Sequence, residues 1–395
     1  MSRYNITIIS HSFPVKNMGA TGIFVKDQAD CLSESANINV IAPKPRVIWP
    51  LYTLNEKWKA FDDLKEIEDH PNYRVYRPGY LKFPRKLFYV SFYRNMGRAA
   101  QKYISQNTDL FHVHFAYPGA GIISGLKNNY PDIPVVLHVH GNDWYINIQN
   151  RKIEKIIHKG MILSDRIITV GNKLKNDITS AYPMLKDKID VVHNGIDLSV
   201  FNDHDAALGR RSGDKEQVKL LTVANFVRGK GLHILLKALK DVKNDNLKCQ
   251  IIGNNPDPVY YSELVKLRSK LGLESQVEFI EAIAREDLID FYSSCDFFVL
   301  PSLCEGFGIV LIEALSFGKP VISTYSGGPE DIVNERNGIL VEPNNIGDLA
   351  KAIRRMTDHK DYDPKMISRE VKGKFNYRTI RNELLAVYRK TINQI

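Results

Sequence analysis

The 395-residue sequence contains no run of apolar residues near the length of about 18 that a membrane-spanning helix requires. It begins Met1-Ser-Arg-Tyr-Asn and leads directly into a short strand pattern, so no signal peptide is predicted. Its four cysteines show no metal-binding spacing, and three of them lie in or beside apolar runs, which is typical of reduced core thiols. These absences predict a cytoplasmic protein without a disulfide framework.

Acidic residues are missing from one long segment, residues 71–103. This segment holds eight Lys or Arg residues and nine Tyr or Phe residues, with no Asp or Glu. Basic side chains interleaved with aromatic ones can anchor a protein on an anionic membrane surface. The same pattern is typical of a basic surface around a helix whose aromatics belong to the core, and the sequence leaves both interpretations open. Nucleic acid is not predicted as a partner, because no nucleic-acid-binding motif is present.

Short apolar strands alternate with helical stretches along the whole chain, and two domains are expected at this length. Near-continuous apolar strands separated by helices indicate parallel sheets that are covered on both faces. Residues 202–217 are polar and charged, so they predict the junction, and a final helix over Arg378–Ile395 has a one-sided apolar stripe. The predicted strands are Tyr4–Ile9, Ile38–Ala42, Leu110–His114, Val135–Val139, Arg166–Val170 and Ile189–His193, then one from Val218, Cys249–Gly253, Gln276–Ile280, Phe297–Leu300, Pro320–Thr324 and Gly338–Val341.

The segment Glu305-Gly-Phe-Gly-Ile-Val-Leu-Ile-Glu313 carries the most information about a ligand site. Glu305 follows a predicted strand, and Glu313 is expected roughly two turns into the next helix. Open parallel sheets bind ligands outside the carboxyl ends of their strands, and a helix N-terminus offers N–H groups to an anion. Glu313 lies among apolar residues, where a glutamate is rare unless it is paired or bound. Amides for phosphate and carboxylates for hydroxyls together predict a sugar-nucleotide site, although two solvated surface charges are the commoner meaning of such a pair.

Three further loops at strand ends carry candidate residues. Gly19 lies in a strand-to-helix turn, where glycine lets backbone amides approach an anion closely. His138 and His140 alternate on a strand, and we predict His140 as a hydrogen-bonding site residue and His138 as a packed core residue, with no metal. Lys230 lies between two glycines, where it is placed to meet a phosphate as a point charge, and Arg228 is nearby.

Taken together, these motifs resemble the retaining GT-B glycosyltransferases of family 4. The resemblance covers nearly the whole chain and is strongest from His193 to Pro343. Glu305 and Glu313 match the family's Glu-x7-Glu signature, and Asn194-Gly-Ile-Asp197 matches its hinge signature. The motifs Gly318-Lys-Pro-Val-Ile322, Gly327-Gly328 and Asn337-Gly-Ile-Leu-Val-Glu-Pro343 follow in the family's order.

The resemblance implies an α/β fold of the GT-B type, in which two doubly wound Rossmann-like domains face a cleft. Residues 1–200 would form an N-terminal acceptor-binding domain, residues 201–376 a nucleotide-sugar-binding domain, and residues 377–395 a helix that crosses back to the N-domain. It also implies transfer of a sugar from a UDP- or GDP-sugar to a saccharide or lipid-linked acceptor, with retention and without a metal or another cofactor. The enzyme would work in the cytoplasm, peripherally on the inner membrane face.

The resemblance further implies roles for single residues. Glu313 would hold the ribose hydroxyls, Glu305 the hydroxyls of the transferred sugar, and Lys230 would neutralise the leaving diphosphate. His140 would contact the sugar near the scissile bond, so the implied catalytic residues are His140, Lys230 and Glu305. The implied donor-binding residues are Gly19, Asn225, Arg228, Lys230, Glu305, Gly306, Phe307, Gly308, Ile309 and Glu313.

The chain departs from the family pattern at Asn225, where an arginine is common. Asparagine donates hydrogen bonds but carries no charge, so the diphosphate loses a bidentate partner. Compensation by Arg228 and a greater reliance on Lys230 both stay open. Two alternatives to a membrane-face enzyme also stay open: the same chemistry on a soluble acceptor, and a catalytically silent subunit that binds a sugar nucleotide.

Overall fold

The structure is a computed structural model that describes residues 3–15, 22–46, 61, 63–82, 91–198, 217–281, 283–284, 286–358 and 362–394. The chain divides into two compact units. Unit 1 comprises Met1–Val170, Leu174–His193 and Ile380–Ile395, and unit 2 comprises Gly171–Lys173 and Asn194–Thr379. Within these described ranges, no helix is long and apolar enough to cross a membrane.

Unit 1 is built on a large sheet. Its strands are β1 (Asn5–Ile9), β2 (Asn37–Ile41), β3 (Lys44–Arg46), β4 (Ile67–Asp69), β5 (Arg74–Tyr76), β6 (Gly79–Leu81), β7 (Leu110–His114), β8 (Val135–Val139), β9 (Arg166–Thr169) and β10 (Ile189–Val191). Eight of them form the order β10-β9-β8-β7-β1-β2-β5-β4, while β3 and β6 pair separately. Within the large sheet only β4 and β5 pair antiparallel. Every residue of β7 and β8 is buried, so the histidines of these two strands lie inside the core.

Helices cover the sheet of unit 1. They are α1 (Ile23–Ser33), α2 (Phe92–Gln101), α3 (Gly119–Asn129), α4 (Asn142–Tyr145), α5 (Arg151–Leu163) and α6 (Asn172–Ala181), the last of which belongs to unit 1 from Leu174 onward. The Asn150 side chain starts α5, because it accepts hydrogen bonds from the backbone N–H groups of Lys152 and Ile153. Gly160 lets α5 approach α3, since an added Cβ would overlap the backbone of Ala120.

The basic and aromatic segment 71–103 divides between the interior and the surface. Tyr73, Tyr80 and Phe92 are buried. Arg77 is also buried, and its Nε donates to Glu68 Oε1 at 2.7 Å. Residues 83–90 lie outside the described residues. Four basic members are exposed, namely Arg74, Arg94, Arg98 and Lys102.

Unit 2 contains a six-stranded parallel sheet. Its strands are β11 (Val218–Val223), β12 (Leu247–Gly253), β13 (Val277–Glu281), β14 (Phe297–Leu300), β15 (Val321–Thr324) and β16 (Gly338–Val341), in the order β13-β12-β11-β14-β15-β16. The chain adds strands on one side of β11 as far as β13 and then returns to β14 on the other side. The boundary between β11 and β14 is therefore the topological switch point, where open parallel sheets bind their ligands.

Helices of unit 2 connect these strands. They are α7 (Leu232–Val242), α8 (Pro258–Leu271), α9 (Leu288–Ser294), α10 (Ile309–Ser316), α11 (Ile346–Asp358) and α12 (Pro364–Lys374). Asp257 caps the start of α8 by accepting from the Tyr260 backbone N–H, and Gly272 ends it in the left-handed conformation. The chain closes with α13 (Tyr377–Ile392), whose apolar stripe is buried in the core of unit 1. The stripe consists of Ile380, Leu384, Leu385, Val387 and Tyr388.

Candidate functional site

The switch point of unit 2 brings two loops together at the carboxyl ends of β11 and β14. The loop after β11 contains a short 3-10 turn, Arg228–Lys230, and the Leu303 backbone N–H donates to the Gly229 carbonyl at 2.8 Å. Gly231 has a φ of 66°, and an added Cβ there would overlap the Pro301 carbonyl. Only glycine lets the two loops approach this closely, so the predicted phosphate loop lies directly beside the loop that carries Glu305.

Lys230 and Glu305 meet across these loops. Lys230 Nζ donates to Glu305 Oε2 at 2.5 Å, and the Ser302 hydroxyl donates to the same oxygen at 3.1 Å. Ser302 and Glu305 are buried, and an ammonium and a hydroxyl both donate to the carboxylate. The structure thus joins two of the residues predicted from separate motifs and adds Ser302, which the sequence analysis did not identify.

The segment that follows Glu305 is fixed by backbone hydrogen bonds. The Glu305 N–H donates to the Ser326 carbonyl at 2.9 Å, and the Gly328 N–H donates to the Glu305 carbonyl at 2.9 Å. Gly328 lies against this loop so closely that an added Cβ would overlap the backbone of Phe307. Gly308, with a φ of 97°, then starts α10. Residues 306–309 therefore form the turn into the N-terminus of α10, where anions are favoured.

Glu313 is the fifth residue of α10, so it lies about one turn into the helix rather than the roughly two turns expected. The helix starts later than expected, because the glycine turn extends through Gly308. Glu313 is buried, and the hydroxyl of Tyr292 on α9 donates to its Oε2 at 2.8 Å. Burial with a specific donor explains how a glutamate is tolerated inside an apolar helix.

Arg228 and Asn225 occupy the same loop with different surroundings. The Arg228 guanidinium donates to the Glu263 carboxylate and lies over the ring of Tyr260, with its carbon 5.1 Å from the ring centroid. Asn225 Oδ1 is 3.5 Å from Asn254 Nδ2. Arg228 is therefore already paired with a carboxylate, whereas Lys230 pairs with the predicted site residue Glu305.

His140 belongs to unit 1, where it ends a stack of imidazole rings. His138 on β8 and His140 just after it have ring centroids 4.4 Å apart. The neighbouring strand β7 adds two histidines: His114 Nδ1 is 3.0 Å from His140 Nε2, and His112 Nε2 is 3.2 Å from His138 Nδ1. One ring nitrogen from each of His112, His114 and His138 lies within 4.8 Å of the other two, the one grouping of metal-ligand type among the residues described.

Electrostatics make this histidine stack neutral. Burial, with a contribution from neighbouring His112 and His11, lowers the pKa of His140 to about 3, and burial lowers that of His112 to about 3. Asp143 accepts from the backbone N–H groups of Ala116 at 2.5 Å and His140 at 2.9 Å, and burial raises its pKa to about 6. At neutral pH His140 is therefore a neutral hydrogen-bonding group rather than a cation.

The remaining predicted residue, Gly19, lies outside the described residues. Three residues that hold the predicted ones were not found by sequence reasoning: Ser302, Tyr292 and His114. The His-x-His pattern of β7 repeats that of the β8 segment and was the available signal. This pattern predicts contact between the histidines only if β7 and β8 are neighbouring strands. The order of strands along the chain does not establish that they are neighbours.

Comparison with known proteins gives matches over both halves of the chain. A family model described as "Glycosyltransferase Family 4" matches residues 51–200, and one described as "Glycosyl transferases group 1" matches residues 207–372. An uncharacterized glycosyltransferase of Methanocaldococcus jannaschii is 30% identical over 301 residues, which cover 76% of this chain and 79% of that protein. The putative teichuronic acid biosynthesis glycosyltransferase TuaC of Bacillus subtilis is 26% identical over 370 residues, covering 91% and 90%.

Solved structures share the fold along the full length. Sucrose-phosphate synthase from Thermosynechococcus elongatus superposes with a TM-score of 0.80 at 20% identity and covers 100% of both chains. Anabaena HepE in complex with UDP superposes with a TM-score of 0.69 at 17% identity, covering 99% of this chain and 100% of that one. The architecture of two parallel-sheet α/β units is that of the GT-B fold. With the matching family models and the relative of 30% identity, the chain belongs to the GT-B glycosyltransferases of family 4.

Proposed function

We propose that this glycosyltransferase moves a sugar from a nucleotide-diphosphate sugar to a saccharide acceptor with retention of the anomeric configuration. The observation that carries the proposal is the network of Lys230, Glu305 and Ser302 at the switch point of unit 2, beside the turn into α10. An ammonium near a helix N-terminus suits a diphosphate. Buried carboxylates held by hydroxyl donors suit the hydroxyls of a ribose and of a sugar.

Each glutamate has a separate task in this proposal. Tyr292 fixes the orientation of the Glu313 carboxylate, which binds the ribose hydroxyls of the donor. Glu305 is oriented by Lys230 and Ser302 through Oε2, and its Oε1 is the atom that we assign to the hydroxyls of the transferred sugar. Neither glutamate acts as a nucleophile, because both are committed to holding the donor.

The chemical step is dissociation of the diphosphate. The bond between the anomeric carbon and the phosphate oxygen breaks with its electron pair on the phosphate. Lys230 and the backbone amides of Gly306, Phe307, Gly308 and Ile309 offset that charge. The acceptor hydroxyl attacks from the face that the diphosphate leaves, and its proton passes to the departing phosphate oxygen, so the configuration is retained. The ammonium and the amides supply the positive charge, so we propose that no metal ion is needed on the diphosphate.

We assign the remaining contacts with the nucleotide-sugar donor from the surroundings of the residues that would make them. His140 is neutral at pH 7, so we assign it a hydrogen bond to the sugar near the scissile bond. Gly19 would approach the diphosphate from the acceptor-binding domain. Asn225 would donate an uncharged hydrogen bond, and Arg228 would first have to leave its carboxylate partner. Lys230 also pairs with a carboxylate, but that carboxylate belongs to the site residue Glu305, so we assign the charge of the leaving group mainly to Lys230.

We assign acceptor binding to residues 1–200, donor binding to residues 201–376, and the return to the N-domain to residues 377–395. The UDP complex of HepE supports a UDP-sugar as donor, with a GDP-sugar as the alternative. The teichuronic acid assignment of the Bacillus subtilis relative supports a growing or lipid-linked saccharide as acceptor. The proposed setting is glycan or polysaccharide biosynthesis.

We also propose that the enzyme works in the cytoplasm, at the inner face of the membrane, through residues 71–103. The four exposed basic residues of this segment support the proposal, whereas the burial of Tyr73, Tyr80 and Phe92 favours a soluble acceptor instead. Sedimentation with anionic and neutral vesicles separates the two. Binding that requires anionic lipid and weakens with salt supports the membrane location. Equal recovery in the supernatant with both vesicles supports the soluble acceptor.

The donor is tested by incubating the protein with a panel of UDP- and GDP-sugars and detecting slow hydrolysis by mass spectrometry. Glu313→Gln is expected to abolish hydrolysis while the far-UV circular dichroism stays unchanged. Glu335→Gln, in an exposed turn of the same unit, is the matched control and keeps full activity. Added Mg²⁺ or Mn²⁺ is expected to leave the rate unchanged. Nucleotide binding by calorimetry without turnover of any donor would instead identify a silent binding subunit.

A further inference from the structure

Three fully buried histidines converge inside unit 1. The parallel pairing of β7 and β8 places His114 opposite His138, and His112 lies two residues before His114 on the same face of β7. The three residues have 0% of their surface exposed. One ring nitrogen from each lies within 4.8 Å of those of the other two. Three imidazoles on one face of two neighbouring strands form a cluster that neither strand shows by itself.

The ring nitrogens of this cluster are only partly used. His112 contacts Tyr388 Oη through Nδ1 at 2.7 Å and His138 Nδ1 through Nε2 at 3.2 Å. The Nε2 atoms of His114 and His138 are buried without a hydrogen-bond partner among the described residues. Buried polar atoms without partners are rare in folded proteins, and each one calls for an explanation. A cation bound to His114 Nε2 explains one of them, because it takes a lone pair that no protein donor reaches.

We propose that His112, His114 and His138 bind a single Zn²⁺ ion inside unit 1. Zinc accepts imidazole nitrogens at about 2.0–2.1 Å in tetrahedral geometry, which sets neighbouring ligand nitrogens about 3.3 Å apart. The separation of His112 Nε2 and His138 Nδ1, 3.2 Å, already matches that edge. The third ligand nitrogen, from His114, lies within 4.8 Å of the other two.

Two further groups hold the ligands in the required tautomer. With Nε2 of His112 on the metal, its Nδ1–H donates to Tyr388 Oη. With Nε2 of His114 on the metal, its Nδ1–H donates to His140 Nε2. Histidines that bind metals almost always donate their second ring N–H in this way. Two of the three ligands, His112 and His114, therefore already make the outer hydrogen bond of a metal-binding histidine.

The ion would be structural rather than catalytic. Its three histidine ligands are fully buried, so a substrate does not reach the ion. It would join β7 to β8 and, through Tyr388, to α13. A zinc ion in this position would raise the stability of unit 1 because it binds only the folded arrangement of the two strands and the helix.

The test uses the full chain without a histidine tag, freed of metal by a chelator and then titrated with Zn²⁺ or, as a spectroscopic probe, Co²⁺. We expect about one ion per chain, a tetrahedral Co²⁺ absorption spectrum and a higher melting temperature. Tyr388→Phe keeps the ring but removes the outer acceptor, and should weaken binding about 10-fold or more. His233→Gln, in unit 2, is the matched control and should bind as the wild type does. Absence of binding by the wild type overturns the proposal and leaves the histidines as neutral packing residues.

Ligation can be read without any substitution that endangers folding. In protein with 15N-labelled histidine, zinc is expected to shift the ring-nitrogen resonances of three buried histidines to the range of metal-bound nitrogen. Zinc that binds while those resonances stay unchanged occupies another site, which also overturns the proposal. Donor hydrolysis plays no part in these measurements, so the proposed function and the zinc site stand or fall separately.

Discussion

Replacing Lys230 and Glu305 singly and together measures how strongly this ion pair organises the switch point of unit 2. Lys230→Met keeps the aliphatic stem, and Glu305→Gln keeps the shape of the side chain. The two atoms are 2.5 Å apart, and the side chains are only 21% and 10% exposed. Hydrogen bonds to charged groups contribute about 1.5–3 kcal/mol, and pairs shielded from water exceed the roughly 0–1 kcal/mol of surface pairs. We therefore expect a coupling free energy of about 2 kcal/mol.

The same 3-10 turn supplies a matched control. Arg228 pairs with Glu263, but these side chains are 60% and 51% exposed. Their coupling should be below about 1 kcal/mol, because solvent and salt screen an exposed pair. Comparable couplings in the two cycles, or a coupling below about 0.5 kcal/mol for Lys230 and Glu305, would refute the reasoning that burial makes the inner pair strong.

The assay must report unit 2 alone. The chain's three tryptophans all lie within the first 144 residues, so tryptophan fluorescence follows unit 1 only. Amide hydrogen exchange measured by mass spectrometry on peptides from residues 217–358 gives the opening free energy of unit 2 directly. Each single variant should lower the opening free energy of unit 2 by about 2–3 kcal/mol. The double variant should lower it only slightly further, because each single variant already breaks the ion pair.

Tyr292→Phe removes the hydroxyl that donates to Glu313 Oε2. It should lower the opening free energy of unit 2, measured by hydrogen exchange, by about 1.5–2 kcal/mol, and it should weaken nucleotide binding, measured by calorimetry, about 10-fold. Gly328→Ala places a Cβ against the loop backbone at the start of α10, so it should lower both the melting temperature and kcat/KM. Gly373→Ala is the control, because a Cβ there meets nothing within 4 Å, and it should not destabilise the protein. The pKa of Asp143 is raised from 3.8 to about 6, so the folded state binds this proton more tightly than the unfolded state does. Ionisation of Asp143 therefore lowers the free energy of unfolding as the pH rises from about 4 to 6. The stability of Asp143→Asn relative to the wild type should therefore rise by about 2.4 kcal/mol between pH 4 and pH 7 in urea titrations. A pH-independent difference would contradict the raised pKa.

Most of the long strands were predictable from local pattern. Three predicted strands coincide with β7, β8 and β14, namely Leu110–His114, Val135–Val139 and Phe297–Leu300. They were predictable because buried parallel strands are short apolar runs closed by turn residues. Strands β3 to β6 were not predicted, since three residues are too few to show a period. The start of α10 was misplaced because the left-handed Gly308 extends the turn, and no sequence period reports a backbone angle.

The sequence by itself determined the alternation of strands and helices and the Glu-x7-Glu turn, because both depend on neighbours within a few residues. Tertiary structure alone decided which groups hold these residues. Lys230 meets Glu305 across 75 residues and Tyr292 meets Glu313 across 21. Tyr388 meets His112 across 276. Such contacts follow from strand order and helix packing. His138, predicted as a packed core residue, is therefore part of a buried histidine cluster only because β7 and β8 lie side by side.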